Sequence, residues 1–117
     1  MVGRSRQELE GKEKVMKRII DGKTYNTETA TLVCEWSEGY LNDHKMYQEG
    51  IYVTKNGRWF RAGAGGPASM YARQVDNSYI GGNGIFPMTE EEVMHYLENR
   101  DQVGALETHF AHRIEEA

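Results

Sequence analysis

The 117-residue sequence has little cysteine, little proline and no long apolar run. Its single cysteine, Cys34, cannot form an intramolecular disulfide, which excludes the disulfide-rich secreted class. No apolar stretch approaches the roughly 20 residues that a membrane-spanning helix needs. These absences predict a soluble cytoplasmic protein that has no membrane partner.

The length fits one domain with one modest core. The first residues, MVGRSRQELEGKEKV, are polar and mixed in charge and contain no apolar segment, so they are not a signal peptide. Met16 then opens MKRIIDGKTYN, which has the form of a natural start. We therefore predict that residues 1–15 are a flexible extension, read from an upstream start codon or added by cloning, and that residues 16–117 form a single domain.

The first local pattern is a hairpin followed by a helix. The runs KRII and KTY flank Asp21-Gly22, a strong turn pair, and indicate a small opening hairpin. Beyond it, Ala30, Val33 and Trp36 recur every three residues, after a capping Asn or Thr and before a glycine. This spacing predicts a short helix near residues 28–37.

The stretch YVTKNGRWFRAGAGG, from Tyr52 to Gly66, predicts a second hairpin. With Asn56-Gly57 as a two-residue type I′ loop, Val53 would pair with Phe60. Because side chains alternate along a strand, that register places two sets on opposite faces. The predicted core set is Ile51, Val53, Phe60 and Ala62, and the predicted outer set is Tyr52, Thr54, Trp59 and Arg61.

The segment from Gly63 to Gly84 is rich in glycine and predicts a loop of about 20 residues. Residues 63–68 formally match G-x-G-x-x-A, a dinucleotide-binding fingerprint. That motif functions at the start of a helix within a βαβ unit, and no such unit is evident here. We interpret the glycines as the exit from the hairpin, not as a cradle for phosphate.

The C-terminal third predicts an edge strand and two helices. IFPM, at residues 85–88, is typical of an edge strand that ends near its proline. Thr89 to Glu92 form a capping box for a helix near residues 89–99 whose inward side chains are Val93, Tyr96 and Leu97. A closing helix near residues 102–115 is predicted from the helical spacing of Val103, Leu106, Phe110 and Ile114. The sequence thus predicts an α+β fold, with a small antiparallel sheet of two hairpins plus an edge strand packed against two to three helices.

Catalytic patterns are sparse. His109 and His112 share one helical face, but a metal site needs three or four converging ligands, so we favour solvent-facing histidines. Cys34 adjoins an apolar residue and is interpreted as a buried structural thiol. No nucleophile elbow or phosphate-binding loop is present. We therefore predict no enzymatic activity, no catalytic residue, no metal and no cofactor.

Aromatic and cationic side chains give the first candidate binding surface. Tyr52, Arg58, Trp59 and Arg61 could stack bases or ligand rings and hold a phosphate or carboxylate. The alternative is ordinary cross-strand packing under a helix. If Trp59 is exposed, it also favours a symmetric homodimer.

Acidic side chains give the second candidate surface. Residues 89–117 carry 2 basic and 8 acidic residues, whereas residues 1–88 have a net charge of +2. Phosphate contacts need clustered Lys and Arg, so this charge balance disfavours direct nucleic-acid binding at the C-terminal end. The acids, including Glu98, Asp101 and Glu107, could instead contact a basic nucleic-acid groove on a protein partner, as a mimic of phosphate charge.

Three segments carry a resemblance to a known group. They are IDGKTYNTETA at residues 20–30, YVTKNGRWFRAGAGG at 52–66 and GGNGIFPMTEEEV at 81–93. In this order they resemble small uncharacterised proteins encoded by phages and other bacterial mobile elements. Such proteins often bind and block host machinery, as anti-CRISPR and other anti-defence inhibitors do.

The resemblance implies a non-enzymatic accessory protein that inhibits a host defence or nucleic-acid-handling complex by protein–protein binding in the bacterial cytoplasm. The alternative function, from another class, is a module that binds a small ligand or single-stranded nucleic acid through the aromatic and arginine-bearing sheet face.

Overall fold

The computed structural model describes residues 15–40 and 43–117. Residues 1–14, which hold almost all of the predicted extension, and residues 41–42 lie outside the described residues. The strands are β1 Lys17–Ile20, β2 Lys23–Asn26, β3 Thr31–Glu38, β4 Tyr47–Val53, β5 Trp59–Gly65, β6 Arg73–Val75, β7 Ser78–Ile80 and β8 Gly82–Met88. The helices are α1 Glu90–Asn99, α2 Val103–His109 and a 3-10 turn at Ala111–Arg113.

Four strands form the central antiparallel sheet, in the order β3-β4-β5-β8. The β1–β2 hairpin packs on the face that carries Phe60 and Ala62, which we call the hairpin face. Helices α1 and α2 pack on the face that carries Ile51 and Trp59, which we call the helix face. The predicted α+β class with antiparallel pairing is confirmed. The predicted single sheet of two hairpins plus an edge strand is wrong, because the β1–β2 hairpin and the β6–β7 hairpin each form a separate two-stranded sheet.

The opening hairpin is also confirmed. Lys17 pairs with Asn26 and Ile20 with Lys23, so Asp21-Gly22 form the turn. Gly22 has φ of 75°, a conformation that glycine adopts at little cost. At the other end of β2, the ring of Tyr25 meets the edge of Phe60 with centroids 5.4 Å apart, which anchors the hairpin to the sheet.

The helix predicted near residues 28–37 is wrong, because this segment is strand β3. A β-bulge between Leu32 and Cys34 adds one residue to the strand. The extra residue lets Val33 and Trp36, three apart, both pack against the helix-face core. A bulged strand therefore reproduced the spacing that was interpreted as one helical face.

The predicted register of the second hairpin is wrong by one residue. The backbone N–H of Thr54 donates to the carbonyl of Arg58 at 2.8 Å, and Gly57 has φ of 84°. The loop thus contains three residues, 55–57, with glycine in the left-handed position, instead of two. Val53 consequently pairs with Trp59, and every β5 side chain lies on the face opposite to the predicted one.

The prediction of a long glycine-rich loop is wrong as well. Strand β5 continues to Gly65, a small hairpin of β6 and β7 follows, and β8 begins at Gly82. The edge strand is confirmed, since β8 pairs only with β5 among the described residues. Pro87 lies in it, where a missing backbone donor is tolerated.

The helix that begins at the capping box is confirmed. The Glu92 N–H donates to Thr89 Oγ1 at 3.1 Å, and the Thr89 N–H donates to Glu92 Oε1 at 2.8 Å. The inward side chains are the predicted ones, Val93, Tyr96 and Leu97. The closing helix is shorter than predicted, because α2 ends at His109. Of the residues at the predicted helical spacing, Phe110 is buried, whereas Val103 and Ile114 are exposed.

Candidate functional site

Glu49 is the buried charged residue at the centre of the helix face. It lies on β4 between Trp36 of β3 and Gly63 of β5, and its side chain is only 1% exposed. A carboxylate in such a position is stable only when hydrogen bonds and opposite charges replace water. Its surroundings supply both.

Two tyrosine hydroxyls donate to the carboxylate, one to each oxygen. Tyr71 Oη lies 2.5 Å from Glu49 Oε1, and Tyr96 Oη makes a short hydrogen bond to Oε2. Burial, followed by the hydrogen bond to Glu49, raises the pKa of both tyrosines far above their ordinary value. Both hydroxyls therefore remain protonated donors throughout the neutral range.

Two arginines flank the same carboxylate. Arg61 Nε lies 3.8 Å from Oε1 and an Arg100 terminal nitrogen lies 4.0 Å from Oε2. The Arg61 guanidinium lies over the Phe86 ring, 4.8 Å from its centroid, and that of Arg100 lies 3.6 Å from the centroid of Tyr96. The aromatic faces thus hold the cations beside Glu49 by cation–π contact.

Gly63 makes room for this arrangement. A methyl group at Gly63 would lie 2.5 Å from Tyr71 Cζ and 2.8 Å from the Gln48 carbonyl oxygen, closer than packed atoms come. The glycine lets the Tyr71 ring reach Glu49 across β5. Gly63 is therefore needed for close packing, which replaces the earlier interpretation of a hairpin exit. A phosphate cradle is also not formed, since a turn and the β6–β7 hairpin follow β5 where the motif requires a helix.

We name Glu49, Tyr71, Tyr96, Arg61 and Arg100 the Glu49 cluster. Through one carboxylate it joins four parts of the fold: β4, β5, the C-terminal end of α1 and the turn before β6. Both carboxylate oxygens already accept a hydroxyl and the side chain is sealed from solvent, so the cluster offers no free base to a substrate. Its geometry suits positioning of the helix layer on the sheet.

The aromatic and arginine-bearing surface does not form as predicted. Trp59 is 7% exposed and stacks on Phe110 with centroids 5.1 Å apart, so ordinary packing under a helix accounts for it. Tyr52 lies on the opposite face of the sheet, and Arg61 belongs to the Glu49 cluster. Arg58 is exposed beside the hairpin loop. The four residues therefore do not share one surface, and the Trp59 ring is not exposed for a homodimer contact.

The predicted acidic residues Glu98, Asp101 and Glu107 are all exposed. Glu98 lies 3.7 Å from His95, at the end of α1, while Asp101 lies in the connection to α2. By contrast, Glu90 and Glu91 receive hydrogen bonds from Arg113 at 3.0 and 3.2 Å. The acidic residues beyond the first turn of α1 are therefore the part of the acidic surface that Arg113 does not neutralise.

Of the histidine and cysteine candidates, His109 and Cys34 have packing neighbours, whereas His112 is exposed. His109 meets the edge of the Trp59 ring at 5.6 Å, and Cys34 is buried in the helix-face core. Burial is the main cause that raises the pKa of the Cys34 thiol, which disfavours the reactive thiolate. Within residues 15–40 and 43–117, no three His, Cys, Asp or Glu side chains converge closely enough to hold a metal ion.

Sequence reasoning missed Glu49 and Arg100, and it did not predict that Tyr71 and the inward-facing Tyr96 contact one carboxylate. Glu49 alternates with apolar residues on the core side of β4, and an inward charge in a strand is the signal that could have drawn attention to it. Its two tyrosine partners lie 22 and 47 residues away in the sequence, and no local sequence pattern connects such distant positions.

Comparisons with family models, curated proteins and solved structures found no match for this chain. In the part of the chain that the structure describes, no helix is long and apolar enough to cross a membrane.

Proposed function

We propose that this chain is a non-enzymatic accessory protein of a phage or mobile element, and that it inhibits a host defence complex by protein–protein contact. The observation that carries protein binding is the β6–β7 hairpin, all of whose strand residues are exposed. Tyr79 is 62% exposed and Met70, just before the hairpin, is 58% exposed. Projecting apolar side chains of this kind are typical of a contact surface. The host setting rests on the resemblance of three sequence segments.

The acidic surface supports a finer proposal about mechanism. Glu98, Asp101 and Glu107 are exposed on the helix layer, and residues 89–117 have 6 more acidic than basic residues. A surface with this charge would be attracted to the basic groove in which a partner binds nucleic acid. The chain would then occupy that groove in place of phosphate.

The first experiment is affinity purification of the tagged chain from a bacterial host that carries defence systems, with mass spectrometry of bound proteins. We expect a stoichiometric protein complex that is lost when Tyr79→Ser and Ile80→Ser are combined. Ile19→Ser is the matched control, because Ile19 is 71% exposed on the other hairpin. Equal capture by both variants would exclude the β6–β7 hairpin as the contact surface.

The mimic mechanism has its own test. Glu98→Lys, Asp101→Asn and Glu107→Lys are combined, with asparagine at 101 because that residue has φ of 54°. We expect weaker partner binding with a shallower salt dependence, since screened attraction is what the acids supply. Glu28→Lys, on an exposed turn of the hairpin layer, is the control. Unchanged affinity and salt dependence in the triple variant would rule out phosphate mimicry.

A further inference from the structure

A groove of about 490 Å³ lies on the hairpin face of the sheet. Met16 and Thr27 form one side of the groove. The residues that line it from the sheet are Glu35, Gln48, Glu49, Gly50, Tyr52, Ala62, Gly63 and Ala64. The volume falls within the range of about 300–1,000 Å³ that is usual for pockets of small ligands.

Small residues of the sheet let larger side chains fold over them at one side of this groove. Gly50, on β4, lies beside Ala62 of β5. A methyl group at Gly50 would lie 2.9 Å from both Leu32 Cδ1 and Tyr52 Cε1. The side chains of the two neighbouring residues therefore extend over the glycine, and the phenol of Tyr52 borders the open space beside it.

Two of the polar side chains that line the groove, Glu35 and Gln48, are unpaired among the described residues. Neither the Glu35 carboxylate nor the Gln48 carboxamide makes a side-chain hydrogen bond or ion pair with the described residues, whereas Arg18 of the covering hairpin bonds to Asn83 at 2.9 Å. Burial and, second, the negative charge of Glu35 raise the pKa of Tyr52. A negative charge, an amide and an aromatic ring thus border one open space.

We propose that this groove binds the guanidinium of an arginine presented by a protein partner. The carboxylate of Glu35 complements its charge, and the Gln48 amide oxygen can accept a further N–H. One face of the Tyr52 ring stacks on Phe60 with centroids 5.2 Å apart, so Tyr52 contributes its hydroxyl oxygen as a further acceptor. Arginine fits better than lysine, because its planar and weakly hydrated group donates several hydrogen bonds at once in a fixed geometry. This inference deepens the proposed protein-binding function by naming the chemistry of one contact.

The test uses the full chain labelled with ¹⁵N and three capped tripeptides, Gly-X-Gly, in which X is arginine, lysine or the neutral isostere citrulline. Nuclear magnetic resonance shifts are followed at constant ionic strength. We expect saturable shifts at Gly50, Ala62, Ala64 and the Gln48 side-chain amide with the arginine peptide, with Kd on the order of millimolar for one side chain. The lysine peptide should bind more weakly and the citrulline peptide should leave these signals unchanged.

Two variants of strand β3 make the assignment specific. Glu35→Gln keeps the shape of the side chain but removes its charge, and should weaken binding of the arginine peptide about five-fold, as for an exposed ion pair. Glu38→Gln is the matched control, since Glu38 lies three residues along the strand on the other face and is also exposed. It should leave Kd unchanged.

Equal shifts with citrulline, equal binding of lysine, no saturable shift in the groove, or an unchanged Kd in Glu35→Gln would each overturn the proposal. Shifts confined to the acidic residues of α1 and α2 would overturn it as well. The peptide assay needs no knowledge of the partner, so a captured partner without peptide binding would refute only the groove. Peptide binding without any captured partner would refute only the proposed function.

Discussion

At the scale of the residue, Glu49 shows how a charge is retained inside a small core. It lies on the same side of β4 as Ile51, which is fully buried. Two hydroxyls and two guanidinium groups replace the water that the carboxylate loses. The geometry is favourable only while all partners are present, since a buried charge that has lost its partners is costly.

Glu49→Ala should therefore destabilise the fold strongly. It leaves two buried hydroxyls without an acceptor and removes the carboxylate between Arg61 and Arg100. We expect a loss of about 3 kcal/mol in the free energy of unfolding, measured by urea denaturation. The control is Glu28→Ala, at an exposed turn position where a change under about 0.5 kcal/mol is expected. A similar small loss for Glu49→Ala would show that the cluster contributes little to stability.

The tyrosines of the cluster predict a loss of stability in alkali. Their pKa values are raised in the folded chain, so the unfolded chain gives up these protons first as the pH rises. The stabilisation is complete below the ordinary tyrosine pKa of about 10 and is lost progressively above it. Denaturation midpoints from pH 8 to 11 should fall less steeply for Tyr71→Phe than for Tyr25→Phe, which removes a buried tyrosine outside the cluster. Equal slopes would contradict this origin.

At the scale of the element, one additional loop residue decides what each side chain of β5 contacts. Both a two-residue and a three-residue loop are compatible with Asn56-Gly57, and the two registers give opposite faces to Trp59. Sequence patterns alone did not distinguish them, because both faces of this sheet are covered and both sets contain apolar residues. The predicted sheet was therefore correct in class and wrong in its faces.

Local signals were reliable where short-range contacts determine the structure. The capping box of α1 and the Asp21-Gly22 turn were predicted correctly, because their partners lie within three residues. Strand β3 was predicted as a helix, since a bulge is set by pairing with β4 and not by its own sequence. The Glu49 cluster was not predicted for the same reason, as its contacts exist only after the chain folds.

Gly63 and Gly104 give a matched pair of substitutions at this scale. Gly63→Ala forces Tyr71 away from Glu49 and should cost about 1–3 kcal/mol of stability, as overpacking does. Gly104 lies in α2 with nothing within 4 Å of an added methyl, so Gly104→Ala should stabilise the chain by about 0.5–1 kcal/mol. Thermal denaturation of both variants tests the pair. Opposite signs are required, and a neutral Gly63→Ala would refute the packing role.

At the scale of the whole molecule, the sheet is enclosed by a hairpin layer and a helix layer. Each layer covers its own apolar cluster, and Phe60 and Phe110 are the largest fully buried side chains of the two. Among the described residues, the open surfaces include the hairpin-face groove, the β6–β7 hairpin and the acidic exterior of the helices. Under the proposed function, recognition of a partner is expected at these surfaces and not at the enclosed aromatic rings.

Fluorescence can test that enclosure. In a Trp36→Phe variant, Trp59 is the remaining tryptophan, and its burial under Phe110 should protect it from iodide until the chain is unfolded in urea. Short single-stranded oligonucleotides should leave its emission unchanged, since the ring has no free face for a base. Saturable quenching by an oligonucleotide would contradict the buried position and restore Trp59 as a stacking residue.

The close fit of Gly63 against Tyr71 also has an evolutionary consequence. The glycine is useful only while a large ring lies across it, and the ring reaches Glu49 only while the glycine is present. A change at either residue alone is expected to lower stability. In descendants of this chain, substitutions at the two positions should therefore occur together, in spite of the turn that separates them. A lineage that loses one is expected to lose the other and, with it, one of the two hydroxyl donors to the carboxylate at position 49.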